Sequence, residues 1–271
     1  MKPIYSCAVW WVVVVGLLVA PGAASGAEAQ DPNAVPARSF VKDGRLDLPA
    51  AVKYFEDLYR SESSISRAKL EVVRPRLTRR LTMKIWTLGQ ERALVVIEEP
   101  ARERGTATLK VEKNLWNYLP KIRRTIRIPP SMMLASWMGS DFTNDDLVRE
   151  ASYTEDYTYE LIGPSEDPAG WLIRFTAKPD VVGLWSRFDL VVNKGGTIPL
   201  VGRYYDRRGE LARVLTWDRV RVFDGRRVPS RMTLVPTDKE GHKTVMTYLE
   251  IAFDVPVPEQ MFSLSELERR R

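Results

Sequence analysis

The feature that most limits this chain is a period-two alternation of apolar and charged residues, broken at short intervals by glycine turns. In Leu77–Thr87, Leu81, Met83 and Ile85 fall on one phase, and Arg80, Thr82 and Lys84 fall on the other. Successive strand residues point to opposite faces, so this spacing predicts a strand with one buried and one wet face. Residues 92–98 read as a more fully buried strand, and 107–119 as one long strand or two joined at Glu112–Asn114. Lys121–Ile128 reads as a strand with Ile122, Ile126 and Ile128 on one face and Lys121, Arg123 and Arg127 on the other. Further strands are expected at 185–193, 200–206, 211–222, 229–236 and 243–253. They are separated by turns at Lys194–Thr197, Arg207–Glu210, Asp224-Gly225 and Asp238–Gly241. Asp-Gly is a strong hairpin signal because both central residues of that turn need positive φ. The pattern predicts a mostly β, antiparallel barrel or sandwich of about ten or eleven strands.

Two stretches depart from this period. Residues 47–60 read as a helix, with Asp47 as N-cap, Pro49 in the first turn, and Ala51, Tyr54, Phe55 and Leu58 at helical spacing. Pro129 and Pro130 end the preceding strand, because proline has no N–H for the ladder, and short helical turns are expected over 130–149. The latter stretch carries Met132, Met133, Leu134, Trp137 and Met138 outside the sheet. They need a surface to cover, so Ser131–Leu147 reads either as a lid over a cavity mouth, hinged at Gly139, or as a fixed plug in a solid core.

The N-terminus has the order charged, apolar, small: Lys2, then Ala8–Ala20, then Pro21 to Ala27. That order is a secretory signal peptide. The apolar run falls short of the roughly 20 residues a spanning helix needs. Cleavage is expected after Ala27, with Ala29 as second choice. Cys7 precedes the apolar run, so it cannot anchor a lipid on the processed chain, and it is the sole cysteine. The processed chain then has no disulfide, thiol nucleophile or thiolate metal site. The expected organisation is a signal peptide at 1–27, a flexible leader at 28–46, one domain at 47–264 and a polar, frayed tail at 265–271. The location this implies is the periplasm.

Catalytic and metal readings fail on residue counts. His242 is the single histidine, in an expected polar turn. A histidine-based triad or a typical histidine metal site needs more partners than that. Asp141–Ser152, read as a calcium loop, has Asp146 where glycine is required and Ser152 where glutamate is required. It reads better as a capping segment, with Thr143 as cap and Asp145 and Asp146 in the first helical turn. No phosphate loop or G-x-S-x-G elbow is present. The reading is therefore a non-enzyme with no cofactor and no metal. The net charge of +6 suits an anionic surface without requiring one, and no basic block suggests nucleic acid. The basic set Lys121, Arg123 and Arg127 is a candidate docking face. An ordinary solvated face accounts for it as well.

What stands out is the apolar load: 8 Trp, 10 Tyr, 8 Phe and 8 Met. Flexible, polarizable methionines suit a pocket that must adapt to variable apolar groups. The candidate ligand-facing residues are Leu81, Met83, Ile85, Val95 and Ile97 from the strands, with Met132, Met133, Trp137 and Met138 from the non-sheet stretch. Composition alone does not separate a hollow barrel from a filled one.

Several runs carry a family resemblance. They are Arg104–Lys110, Leu115–Pro120, Ile126–Pro130, Trp137–Leu147 and Tyr204–Leu211. Together they resemble the outer-membrane lipoprotein-sorting proteins, the LolA-like group, over roughly 47–264. The resemblance implies a half-open, strongly curved antiparallel β-barrel with helices and loops covering its concave face. It implies a monomeric periplasmic carrier without catalytic residues or cofactors, whose cavity shields lipid or lipoprotein acyl chains on the way to the outer membrane. An inner-membrane transporter and an outer-membrane acceptor would be its partners. The same fold would serve a non-transport module, such as a stress sensor or an accessory subunit of an exporter.

Overall fold

The computed structural model describes residues 35–149, 153–181 and 185–269. The expected signal peptide, its cleavage point and the start of the leader lie outside these residues. Two short strands, β1 (Val41–Lys42) and β2 (Arg45–Leu46), pair before helix α1 (Leu48–Asp57). α1 begins where its sequence signals place it: Asp47 Oδ1 accepts the Ala50 N–H at 3.2 Å, and Pro49 lies in the first turn. Its apolar stripe of Ala51, Val52 and Phe55 is buried.

Six strands follow as a meander: β3 (Ser63–Arg74), β4 (Leu77–Leu88), β5 (Arg92–Glu99), β6 (Ala107–Val111), β7 (Asn114–Leu119) and β8 (Arg124–Arg127). After the short helices α2 (Asn144–Arg149) and α3 (Tyr153–Asp156), seven more do the same. These are β9 (Tyr157–Glu166), β10 (Ala169–Ala177), β11 (Arg187–Val192), β12 (Pro199–Tyr205), β13 (Leu211–Phe223), β14 (Arg226–Pro236) and β15 (Lys243–Phe253). α4 (Leu264–Arg269) ends the described chain. The two meanders join where β15 pairs with β3, giving one 13-stranded antiparallel sheet in the order 8-7-6-5-4-3-15-14-13-12-11-10-9. β8 and β9 are its two edges, and the sheet is not closed by pairing. They are also consecutive in the chain, and the described parts of their connection, 128–149 and 153–156, lie between the two edges in sequence.

The sheet holds more strands than the alternation announces. β3 carries Ser64, Ser66 and Ala68 on its inward phase, so its buried face looks polar in sequence. β9 has no buried face to betray it: most of its residues are exposed or half-exposed. Ala107–Leu119 divides into two strands around Glu112, which takes φ +54°. Lys121–Arg123 are not strand but the turn between β7 and β8, with Arg123 at φ +51°. The Asp224-Gly225 hairpin forms with φ +49° and +74°.

Two apolar clusters flank the sheet. The larger fills the concave side and includes α1, Leu70, Leu81, Met83, Phe188 and Trp217. The smaller lies on the opposite face of β5–β7, where Leu94, Leu109 and Tyr118 meet Phe262 and Leu267. Leu267 is fully buried. The expected frayed tail is thus a helix through Arg269, docked to cover a second apolar face that the strand pattern did not announce.

Candidate binding cavity

Strand register lines up the concave residues of β3–β7 in rows. Ser64, Thr87, Ala93, Lys110 and Leu115 lie side by side; the next row is Ser66, Ile85, Val95 and Thr108; then come Ala68, Met83 and Ile97, and finally Leu70 and Leu81. The last two rows are packed shut, with every side chain buried. The first two rows mix serine, threonine, lysine and alanine with Ile85, Val95 and Leu115, and they face a cavity of about 180 Å³. Buried hydroxyls need partners. Ser64 Oγ and Thr87 Oγ1 share a 2.7 Å hydrogen bond, and Thr108 Oγ1 donates to Asn117 Oδ1 at 2.8 Å. Lys110 Nζ donates to the Gln90 carbonyl at 2.8 Å.

The facing wall is aromatic. Phe188 stacks on Phe175 at 4.3 Å between ring centroids and on Tyr204 at 5.2 Å, and Tyr157 meets its edge. Tyr59 stacks on Tyr248 at 4.8 Å. Phe188, Tyr204, Tyr157, Tyr59 and Tyr248 all line the cavity, with Trp185 and Trp217. Offset and edge contacts of this kind add about 0.5–1.5 kcal/mol per pair beyond area burial, so this wall is stiff.

The third wall is the connection between β8 and β9. Trp137 is buried in the cavity lining and donates from Nε1 to Thr108 Oγ1 at 3.1 Å. Met138 at φ +50° and Gly139 at φ +70° turn the chain back sharply. Arg74 holds this turn through the Gly139 carbonyl and the Asp141 carboxylate, each at 2.9 Å, and Arg79 donates to the Met138 carbonyl. Thr244 Oγ1 donates to Asp141 Oδ2 at 2.7 Å. The capping expectation for the next turn holds: Thr143 Oγ1 accepts the Asp146 N–H at 3.2 Å, and Asp146 Oδ2 accepts the Thr143 N–H at 2.7 Å.

Asp146 also ties the connection to β13. Its two oxygens accept from Arg213 at 2.6 and 2.7 Å. The guanidinium lies between the Trp185 ring at 4.1 Å and the Tyr204 ring at 4.5 Å. Burial pushes the Asp146 carboxyl up, but the Arg213 charge and the hydrogen bonds from Arg213 and Thr143 outweigh it and hold the group below its usual range. Burial likewise pulls Arg213 down, and the Asp146 charge returns it above its ordinary value. The pair therefore stays ionised inside the wall, as a buried charge pair with hydrogen-bonded geometry should.

The residues expected to face a ligand divide into groups. Ile85, Val95 and Trp137 line the cavity. Leu81, Met83 and Ile97 share the face but lie in the closed rows. Met138 is half-buried against the core without lining the space, Met133 is half-buried, and Met132 is 48% exposed. Met132 and Met133 thus do not line the cavity, because the turn at Pro130–Met132 faces outward. Ser131–Leu147 is a pinned wall made of tight turns, and Gly139 is held by Arg74. Lys121, Arg123 and Arg127 are exposed at the β7–β8 edge, away from the cavity lining. His242 is half-buried in the β14–β15 turn.

Sequence reading missed the aromatic wall, the Ser/Thr rows and Arg213. Phase was the available signal: Arg213 shares an inward phase with Leu215 and Trp217 on β13, and all three are buried. A second opening, of about 700 Å³, lies between the N-terminal segment and α1, beside Arg38, Tyr54 and Arg226.

A family model described as "Uncharacterized protein" matches residues 89–269, more than half of the chain. The chain belongs to that family. No curated protein matches it. Its fold is LolA-like. A DUF1329 family protein from Desulfovibrio piger superposes with a TM-score of 0.73 at 25% identity, covering 81% of this chain and 98% of that one. A putative outer membrane lipoprotein-sorting protein domain from Vibrio parahaemolyticus gives 0.70 at 20% identity, over 80% and 97%. The LolA superfamily protein NE2245 from Nitrosomonas europaea gives 0.68 at 21% identity, over 80% and 98%. The fold is thus shared along nearly the whole length of these three structures.

Proposed function

We propose that this LolA-like chain is a periplasmic carrier that takes up acyl chains of a lipid or lipoprotein in its concave cavity and moves them towards the outer membrane. The observation that carries the reading is the unfilled pair of rows. Three strands, β3–β5, that pack solidly at one end present serines, a threonine and aliphatic groups at the other, opposite an aromatic wall. A chain that needed only stability would fill those rows. Each methylene exposed to water costs about 0.8 kcal/mol, so an acyl chain crossing an aqueous compartment needs such a shelter.

The cavity of about 180 Å³ is below the roughly 300–1,000 Å³ of ordinary ligand pockets. Cargo therefore enters by moving a wall, and the β8–β9 connection is the wall to move. Moving it breaks side-chain ties from Arg74, Arg79, Thr244 and Arg213 rather than a strand ladder: among its described residues the only bridge, Ser136 to Thr143, is internal and travels with it. The cavity carboxylates support binding rather than catalysis. Asp146 is held by Arg213, and Glu56 Oε1 accepts from both the N–H and the hydroxyl of Thr154 at 2.8 Å. The exporting N-terminal sequence and the lipoprotein-sorting name of the Vibrio relative support the compartment and the cargo class.

The test is to purify the processed protein from its native envelope and extract it with organic solvent for mass spectrometry. Acyl-bearing lipid at close to one molecule per chain is the expected result. A lipid-free protein that also leaves a fluorescent fatty acid unbound overturns the reading.

A further inference from the structure

The strongest unassigned surface is at the β8 edge. Among the described residues ten large apolar side chains are exposed, and four of them fall within residues 122–134: Ile122 at 58%, Ile126 at 44%, Met132 at 48% and Leu134 at 53%. The same stretch is one-signed. From Lys113 to Ser140 the sequence has Lys113, Lys121, Arg123, Arg124 and Arg127 and no aspartate or glutamate. Lys121, Arg123 and Arg124 are exposed, and none of them takes part in an ion pair among the described residues. Several cations elsewhere are paired with acids, as Arg74, Arg79 and Arg80 of another acid-free stretch are with Asp141, Glu103 and Glu71.

We propose that the β8 edge, with the turn that precedes it and the Pro130–Leu134 turn that follows it, docks this protein on an anionic membrane surface. Ile122 and its neighbours would sit among the head groups, and Lys121, Arg123 and Arg124 would pair with lipid phosphates. Three observations favour a bilayer over a folded protein partner. The cations are isolated rather than set in acid-lined pockets. The apolar side chains stand on turns and on a terminal strand, not in a groove. Apolar residues interspersed with lysine and arginine along one edge are also the composition that partitions to a charged interface. Glu268 accepts from Thr125 on the convex side, whereas Ile126 is on the concave phase opposite Asn117. The docking turn is also joined to the cavity wall. Asp145 N–H donates to the Met133 carbonyl at 2.8 Å, Asn144 N–H to the Ala135 carbonyl at 3.0 Å, and the Asn144 amide to the Met132 carbonyl at 3.0 Å. The surface goes beyond the cargo reading and stands without it.

The experiment is flotation of the full processed chain with vesicles of phosphatidylcholine alone or with about one-third phosphatidylglycerol. A cation near such a surface contributes about fivefold to partitioning. The Lys121→Gln, Arg123→Gln, Arg124→Gln triple variant should therefore bind anionic vesicles roughly a hundredfold more weakly, while Lys194→Gln, Arg208→Gln, Lys239→Gln should bind nearly as the parent does. Ile122→Ser should weaken binding at both low and high salt, whereas the charge effect should fade as salt rises. Matching thermal melts exclude unfolding. No binding to anionic vesicles by the parent, or equal loss in both triple variants, overturns the proposal and leaves the patch to a protein partner. A protein that retains extracted lipid yet ignores vesicles refutes the docking surface while keeping the carrier.

Discussion

The two ends of β3, β4 and β5 use one face of the same strands for opposite purposes. At one end Leu70, Leu81, Met83 and Ile97 close against the core with no space left. At the other, Ser64, Ser66, Thr87 and Thr108 leave a gap that Trp137 and Asp146 cover from outside the sheet. The β3–β4 pairing and the inward phase run through both ends, with one register shift between β4 and β5 at Thr82/Met83. The difference is side-chain volume and polarity, so stability and binding capacity occupy separate rows of one sheet.

The largest expected effect lies in the cover of the hollow end. Asp146→Asn leaves Arg213 charged and buried, and breaking such a pair costs about 3–5 kcal/mol by denaturant titration. If Arg213→Met with Asp146→Leu recovers most of that loss, the pair specifies the wall rather than stabilising it. The same pair sets an acid response. Because the Asp146 carboxyl is held below its ordinary value, its stabilisation is present above the unfolded-state pKa and is lost as pH falls through the folded value. The parent should lose stability below about pH 4 with a slope that Asp146→Asn lacks. An identical acid slope in both would show that the pair does not set it.

Met83→Ala tests the closed end. A fully buried methionine there should cost about 2–5 kcal/mol. A loss under about 1 kcal/mol would mean that this end is not solid and would dissolve the contrast. Ser66→Leu tests the hollow end: it should fill the space, cost less than Met83→Ala because there is room for the added methylenes, and abolish fatty-acid binding in a fluorescence titration. Destabilisation as large as that of Met83→Ala would show that the row has no room. Met132→Ala is the smallest change. The side chain is half exposed and away from the cavity, so stability should move within about 0.5 kcal/mol with fatty-acid affinity unchanged. A weakened affinity would bring Met132 back as part of the site.

The alternation of charged and apolar residues was enough to determine a mostly β chain with an antiparallel sheet, because a strand with one wet face writes its phase directly into the sequence. Cap chemistry was equally local. Asp47 and Thr143 bond to amides three residues ahead, so their roles needed no distant partner to be readable. β3 escaped because its inward serines serve the cavity instead of the core, which erases the apolar phase that announces a strand. Methionine clustering suggested that Met132 and Met133 face a ligand, yet the proline turn directs them outward. The cavity itself belongs to tertiary structure alone. It exists because register sets Ser66 beside Ile85 and Val95, because Arg213 meets Asp146 from 67 positions away, and because consecutive strands β8 and β9 end at opposite edges. A void is defined by what surrounds it, and those surroundings come from strands that only long-range pairing brings together.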